Sequence, residues 1–135
     1  MQHPRLHIWE KALKGLLDEV DDALETRFGG QWRLHPARPG RGTTANKAHD
    51  GLFDITANFS LGLGSTQGKG YAIDIHVATL ERLPDSARRQ IEDEALVLIR
   101  ERLPKAFPGR ELFIDRDGPV LKLHGDLSLG PSETP

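Results

Sequence analysis

The chain has no cysteine. This excludes disulfides, thiolate nucleophiles and any zinc or iron–sulfur centre built on thiolates. It has no apolar run approaching the roughly 20 residues that cross a bilayer. Its opening stretch, MQHPRLHIWEKALKGLLDEV, is charged every few positions and so lacks the apolar core of a secretory signal. Net charge is nearly absent too. The 18 Lys and Arg are offset by 20 Asp and Glu, so no general attraction to nucleic acid or to an anionic membrane is expected. Any anion site has to come from a local patch. Together these absences predict a cytoplasmic protein that does not associate with membranes.

Familiar catalytic signatures are also missing. There is no Gly-x-Ser-x-Gly elbow and no His-Glu-x-x-His, and Ser60, Ser65, Ser86 and Ser128 have no base at a readable spacing. The segment GLGSTQGKGY (62–71) looks at first like a nucleotide loop. A Walker loop, however, needs four residues between its first Gly and the Gly-Lys pair, then Ser or Thr, then a helix. Here five residues separate Gly62 from Gly68, Gly70 follows Lys69, and a strand comes next. The helix N-terminus that would hold phosphate is therefore missing, and the dinucleotide fingerprint fails for the same reason. A kinase glycine loop fails for want of its strand lysine and of the HRD and DFG segments. The glycines are read as permitting a wide hairpin turn.

What is present is enough for one domain. At 135 residues, with 37% apolar and 28% charged, the chain suits a small domain with long polar loops. We place the domain at 1–128 and a flexible C-terminal tail at 129–135. Leu6, Trp9, Leu13, Leu16, Leu17, Val20, Leu24 and Phe28 recur with helical spacing, and Gly29-Gly30 supplies a stop. Asp18, Glu19, Asp21, Asp22 and Glu25 read as the solvated face of that helix. Phe53, Ile55, Ala57, Phe59 and Leu61 alternate with polar residues, as do Tyr71, Ile73, Ile75 and Val77. This is an antiparallel hairpin with one open face. A second helix runs from LPDSARR to Leu103, where Pro104 is expected to stop it. ELFID and VLKLHGDL form two further strands around Asp117-Gly118. The order α-β-β-α-β-β predicts an α+β two-layer sandwich, a mainly antiparallel four-stranded sheet with both helices packed on one face. An edge-to-edge dimer that extends the sheet is the alternative packing.

Two places stand out for function. The long basic loop at 29–51 includes RLHPARPGRGTTANKAHDG, with four cations and no acid before Asp50. Roughly twenty residues without regular structure are uncommon inside a compact domain, and such loops tend to be functional or disordered. Arg38 and Arg41 offer forked donors suited to phosphate or carboxylate, and Thr43, Thr44 and Asn46 add neutral donors. A small anionic ligand is the sharper expectation there. The plainer one is that the arginines pair with the acidic face of the first helix or with a partner's acids. The second place is the open sheet face, where Asp74, His76, His124 and Asp126 supply two carboxylates and two imidazoles. If their strands are neighbours they suit a divalent metal such as Zn, Mn or Fe, or a general acid and base. Nucleic acid fits poorly, because the face offers no aromatic pair for stacking bases.

The best single expectation is a homodimeric cytoplasmic binding or assembly module rather than an enzyme. It would use the basic loop and the polar sheet face to bind a partner protein or a small anionic ligand, with no cofactor. A small metal-dependent enzyme on the open face is the alternative. Small α+β chaperones of secreted effectors, which dimerise, have a comparable helix–sheet plan, but a shared plan does not carry function across.

Overall fold

The structure, a computed structural model, describes residues 4–60 and 69–126. The C-terminal tail and most of the first hairpin's loop, with Ser65 and Ser128, lie outside the described residues. The elements are α1 (Pro4–Phe28), a single 3-10 turn (Lys47–His49), β1 (Phe53–Ser60), β2 (Gly70–Val77), α2 (Asp85–Ala106), β3 (Leu112–Asp117) and β4 (Val120–Gly125). They form the α+β arrangement that the alternation patterns predict.

The four strands make one antiparallel sheet in the order β1-β2-β4-β3. The hairpin β1–β2 and the hairpin β3–β4 are joined through the β2–β4 pair, which leaves β1 and β3 as the edges. One face is apolar. Phe53, Ile55, Tyr71, Ile73, Val77, Ile114, Leu121 and Leu123 are buried there. Both helices cover that face, α1 along β1 and α2 along β3, and they pack on each other. The stripe Trp9, Leu13, Leu16, Leu17, Val20, Leu24 and Phe28 of α1 is buried, as are Ile91, Ala95, Leu96, Ile99 and Leu103 of α2. Burying each large aliphatic or aromatic side chain contributes about 1.5–3 kcal/mol, so these two stripes fix the helices over the sheet. The opposite face carries Asp54, Thr56, Asn58, Asp74 and His76, and among the described residues no helix lies over it.

Three local details refine the sequence reading. The second helix does not stop at Leu103. It continues through Pro104 to Ala106, and the Phe107 N–H closes the last turn on the Leu103 carbonyl. Proline removes the N–H that would reach Arg100, an exposed residue whose carbonyl water can satisfy, so the helix survives two residues further. The β3–β4 turn centres on Gly118-Pro119, with Gly118 at φ 63, one residue later than the Asp-Gly pair suggested. Gly70 opens β2 where that strand meets β4. A methyl group on it would collide with the Leu123 carbonyl oxygen, so the first step of β2 has room only for glycine.

Candidate functional site

The basic loop is tied down by its own chain. Arg41 sits among three carboxylates. Its Nη2 pairs with Asp21 and lies 3.3 Å from Glu25 Oε1, and its Nη1 lies 3.1 Å from Asp50 Oδ1. Asp21 is 2% exposed and Asp50 1%. Asp21 therefore departs from the solvated-face reading, because it turns inward to meet the loop. Asp50 also accepts the Gly42 N–H at 3.1 Å, the Thr44 N–H at 2.9 Å and the Thr44 hydroxyl at 3.2 Å, a short turn wrapped around one carboxylate. Glu25 reaches on to accept the Leu52 N–H at 2.8 Å. Gly51, at φ 74, passes directly beneath Glu25 and Arg41, and a Cβ there would strike the Glu25 carboxylate. Lys47 pairs with Asp22, and the Lys14 ammonium reaches Asn46 Oδ1 at 3.2 Å. The loop thus lies along the acidic side of α1.

The other loop residues follow the same pattern. Arg38 donates from Nε to the Gly51 carbonyl at 3.0 Å, and from Nη2 to Asp50 O at 3.1 Å and Phe53 O at 2.9 Å. Thr43 Oγ1 donates to Gly40 O at 2.6 Å. The structure therefore brings Arg38, Arg41, Thr44 and Asp50 together as a clasp around the entry to β1. Thr43 and Asn46 sit on its outer side.

The charges in the clasp are unequally satisfied. Burial pushes the Asp21 carboxyl up, Arg41 opposes this, Glu25 and Asp22 add to it, and the result is a pKa of about 7. Burial also disfavours the charged forms of Arg41 and Asp50. For Arg41 the carboxylates outweigh it and the pKa rises. For Asp50 the Thr44, Arg41 and Gly42 contacts outweigh it and the pKa falls. The Arg41–Asp21 contact favours the charged form of both partners. Asp21 is raised all the same, because its burial outweighs its single cation and its two acidic neighbours add to the rise.

A pH dependence follows. The folded pKa of Asp21 is raised, so its contribution to stability is fully present below the unfolded value and is lost as pH rises towards 7. Asp21→Asn, neutral at every pH, lacks that loss. Its Tm relative to the wild type should rise between pH 5 and pH 8 by several degrees. Parallel Tm curves across this range would show that Asp21 ionises without penalty.

The metal set is placed differently. β2 and β4 are neighbours, and Asp74, His76 and His124 share the open face, but the strands run antiparallel with Tyr71 opposite Leu123 and Ile73 opposite Leu121. Continued by one step, that register puts His124 level with Gly70. His76 lies six residues further along, about 20 Å away at ~3.3 Å per residue. Asp74 and His76 sit instead across from Thr56 and Asp54 of β1. Asp126 lies beyond β4, with its N–H on the Glu111 carbonyl. Among the described residues no three His, Asp or Glu side chains gather with metal-binding geometry. His124 pairs with Asp115 instead, Nε2 to Oδ2 at 2.8 Å, and its ring lies tilted against that of Phe113 with centroids 5.6 Å apart. Asp115 is a diagonal cross-strand neighbour of His124. The short β3–β4 turn implies that register, so this pair was open to sequence reasoning, which passed over it.

Each sheet edge has an arginine on one outward carbonyl, at mid-strand in β3 and at the first residue in β1. In β3 the Ile114 carbonyl points outward and accepts from Arg100 Nη2 at 3.0 Å, while Arg100 also lies 3.6 Å from Asp115. A guanidinium lying along an edge blunts it against further pairing. In β1 the Phe53 carbonyl points outward to Arg38 and the Leu52 carbonyl inward to Ala78. By alternation the N–H and C=O groups of Ile55 and Ala57 also point outward. Among the described residues nothing bonds to them. They form one wall of a groove of about 360 Å³, whose other wall is Leu13, Lys14, Leu17 and Asp18 of α1, closed by Asn46 of the loop. Tyr71 lies at the groove, and the Phe59 ring, 54% exposed, packs edge-on against it at 5.6 Å. No sequence signal marked this groove, because it depends on which strand ends up at the edge.

Comparison with known proteins adds three findings. Residues 4–125 match a protein family described as "Uncharacterised protein". The chain is similar to an "Uncharacterized protein" of Borreliella burgdorferi, 38% identical over 125 residues, covering 93% of this chain and 98% of the relative. No solved structure matches.

Proposed function

Since the chain belongs to the family described as "Uncharacterised protein", its function is read from geometry, and we propose that it is a small cytoplasmic protein-binding module rather than an enzyme. It takes an extended polypeptide segment as an added strand beside β1. The observation that carries this is the outward backbone of Ile55 and Ala57, which runs beside a groove walled by α1; each edge has one arginine on an outward carbonyl, Arg38 on Phe53 at the start of β1 and Arg100 on Ile114 in the middle of β3. Strand addition uses such backbone groups for affinity and the neighbouring pockets for specificity.

Magnitudes say what the segment needs. Four backbone hydrogen bonds at about 1 kcal/mol net each fall short of the ~8 kcal/mol of a micromolar complex. Side chains entering the groove have to supply the rest, at about 1.5–3 kcal/mol per buried aliphatic. The bound segment should therefore carry apolar residues at alternate positions, facing Leu13 and Leu17. A small anion at Arg38 and Arg41 is less well supported, because those guanidinium groups already serve the chain's own carbonyls and carboxylates.

Panning a random-peptide library against the wild type and Ala57→Pro tests the reading. The Ala57 N–H points outward, so proline removes a donor at the edge and leaves the β1–β2 ladder intact. Wild type should enrich alternating apolar sequences, and the folded variant should bind them about tenfold more weakly. Enrichment of no common pattern, or equal binding to both proteins, would refute strand addition.

A further inference from the structure

We infer that the strand added beside β1 is β1 of a second copy, antiparallel about a twofold axis through Thr56, joining two four-stranded sheets into one of eight strands. This rests on the strand-addition reading above and names its occupant.

The edge is complementary to itself in that register. Centring the axis on Thr56 puts Ile55 opposite Ala57 of the second copy and Ala57 opposite its Ile55. These are the residues whose N–H and C=O groups point outward, so they exchange four hydrogen bonds, while Thr56 falls in the non-bonded position between them. On the open face Thr56 meets Thr56, a favourable hydroxyl pair. Asp54, which is the one charged residue of β1, does not meet its own copy. It faces Asn58 of the second copy, whose amide donates to a carboxylate. On the helix side the large Ile55 lies against the small Ala57, and the two grooves merge into a seam lined by Leu13 and Leu17 from each copy. The half-exposed Phe59 comes opposite Phe53 of the second copy. The ladder ends there, since the Phe53 carbonyl is already held by Arg38.

β1 also lacks the usual guards of an edge. It contains no lysine and no proline, the residues that commonly discourage pairing with another chain. At β3 the Arg100 guanidinium lies on the mid-strand Ile114 carbonyl, whereas at β1 the arginine-held carbonyl is that of Phe53, the first residue of the strand.

Thr56 is exposed, so charge can be placed on it without disturbing the core. Thr56→Lys sets two ammonium groups face to face across the axis, and Thr56→Glu sets two carboxylates. Sedimentation equilibrium should find the wild type dimeric. Each variant should dissociate about tenfold or more readily, and an equimolar mixture of the two variants should recover a dimer containing one of each. A monomeric wild type at its highest soluble concentration would overturn the inference, as would variants that dimerise as tightly as the wild type. A monomeric wild type that still selects alternating peptides in an Ala57-dependent way overturns only the second-copy inference. A monomer that selects none overturns strand addition as well.

Discussion

At pH 8, Arg41→Ala should lose about 3 kcal/mol of unfolding free energy in chemical denaturation, the scale expected when one partner of a buried charge cluster is removed. Asp21 and Asp50 stay behind, 2% and 1% exposed. Asp50 retains its Thr44 and Gly42 donors, whereas Asp21 loses its one cation. The penalty should depend on pH. At pH 5 Asp21, with its pKa of about 7, is already protonated in the wild type, so removing Arg41 forfeits less. At pH 8 the wild type holds an ionised Asp21 against Arg41, and the variant must either bury that charge alone or keep the proton. The gap between the proteins should therefore widen from pH 5 to pH 8. A gap that is flat with pH, or a loss under 1 kcal/mol, would mean the clasp does not hold the loop. The same variant separates structural from ligand-binding roles for the loop, because a pure ligand residue would leave the denaturation midpoint unmoved.

Trp9→Ala should lose about 3–5 kcal/mol, the range for truncating a buried tryptophan. Trp9 is 5% exposed. Its ring lies 4.1 Å from that of Phe107 at the end of α2 and 6.0 Å from Tyr71 of β2, with the Arg110 guanidinium 5.3 Å above it. One side chain thus joins both helices to the sheet near the groove. Trp9→Phe keeps a ring on Phe107 and should lose less than half as much. Phe113→Ala removes an aromatic that is 51% exposed and should cost less than about 1 kcal/mol. Comparable losses at Trp9 and Phe113 would show that the Trp9 cluster does not bear the packing assigned to it.

Much of the fold was legible because two periods were clean. The alternation of Phe53, Ile55 and Ala57, and of Tyr71, Ile73 and Val77, survives as the apolar sheet face. The three-and-four spacing from Trp9 to Phe28 survives as the buried stripe of α1. The clasp was legible only in outline. The surplus of cations in the loop and of acids on the first helix suggested that they could meet, but helical spacing assigned Asp21 to solvent. No local pattern says that a loop some twenty residues on will fold back over it. The quartet Asp74, His76, His124 and Asp126 shows the opposite difficulty. Alternation put three of them on the expected face, yet the antiparallel register of β2 and β4 carries the pairs to opposite ends. The groove needs strand order as well, since only an edge strand has outward backbone to offer.

The central claim is that the Ile55 and Ala57 amides are open to an added strand, and residue-resolved amide hydrogen exchange measures this directly. In dilute protein both amides should exchange fast, while those of Asp54, Thr56 and Asn58, bonded to β2, stay protected. Raising the protein concentration, or adding a peptide selected by the wild type, should protect Ile55 and Ala57 and leave the other three unchanged. If Ile55 and Ala57 exchange fast at every concentration and with every selected peptide, no strand is added at β1 and the account is wrong.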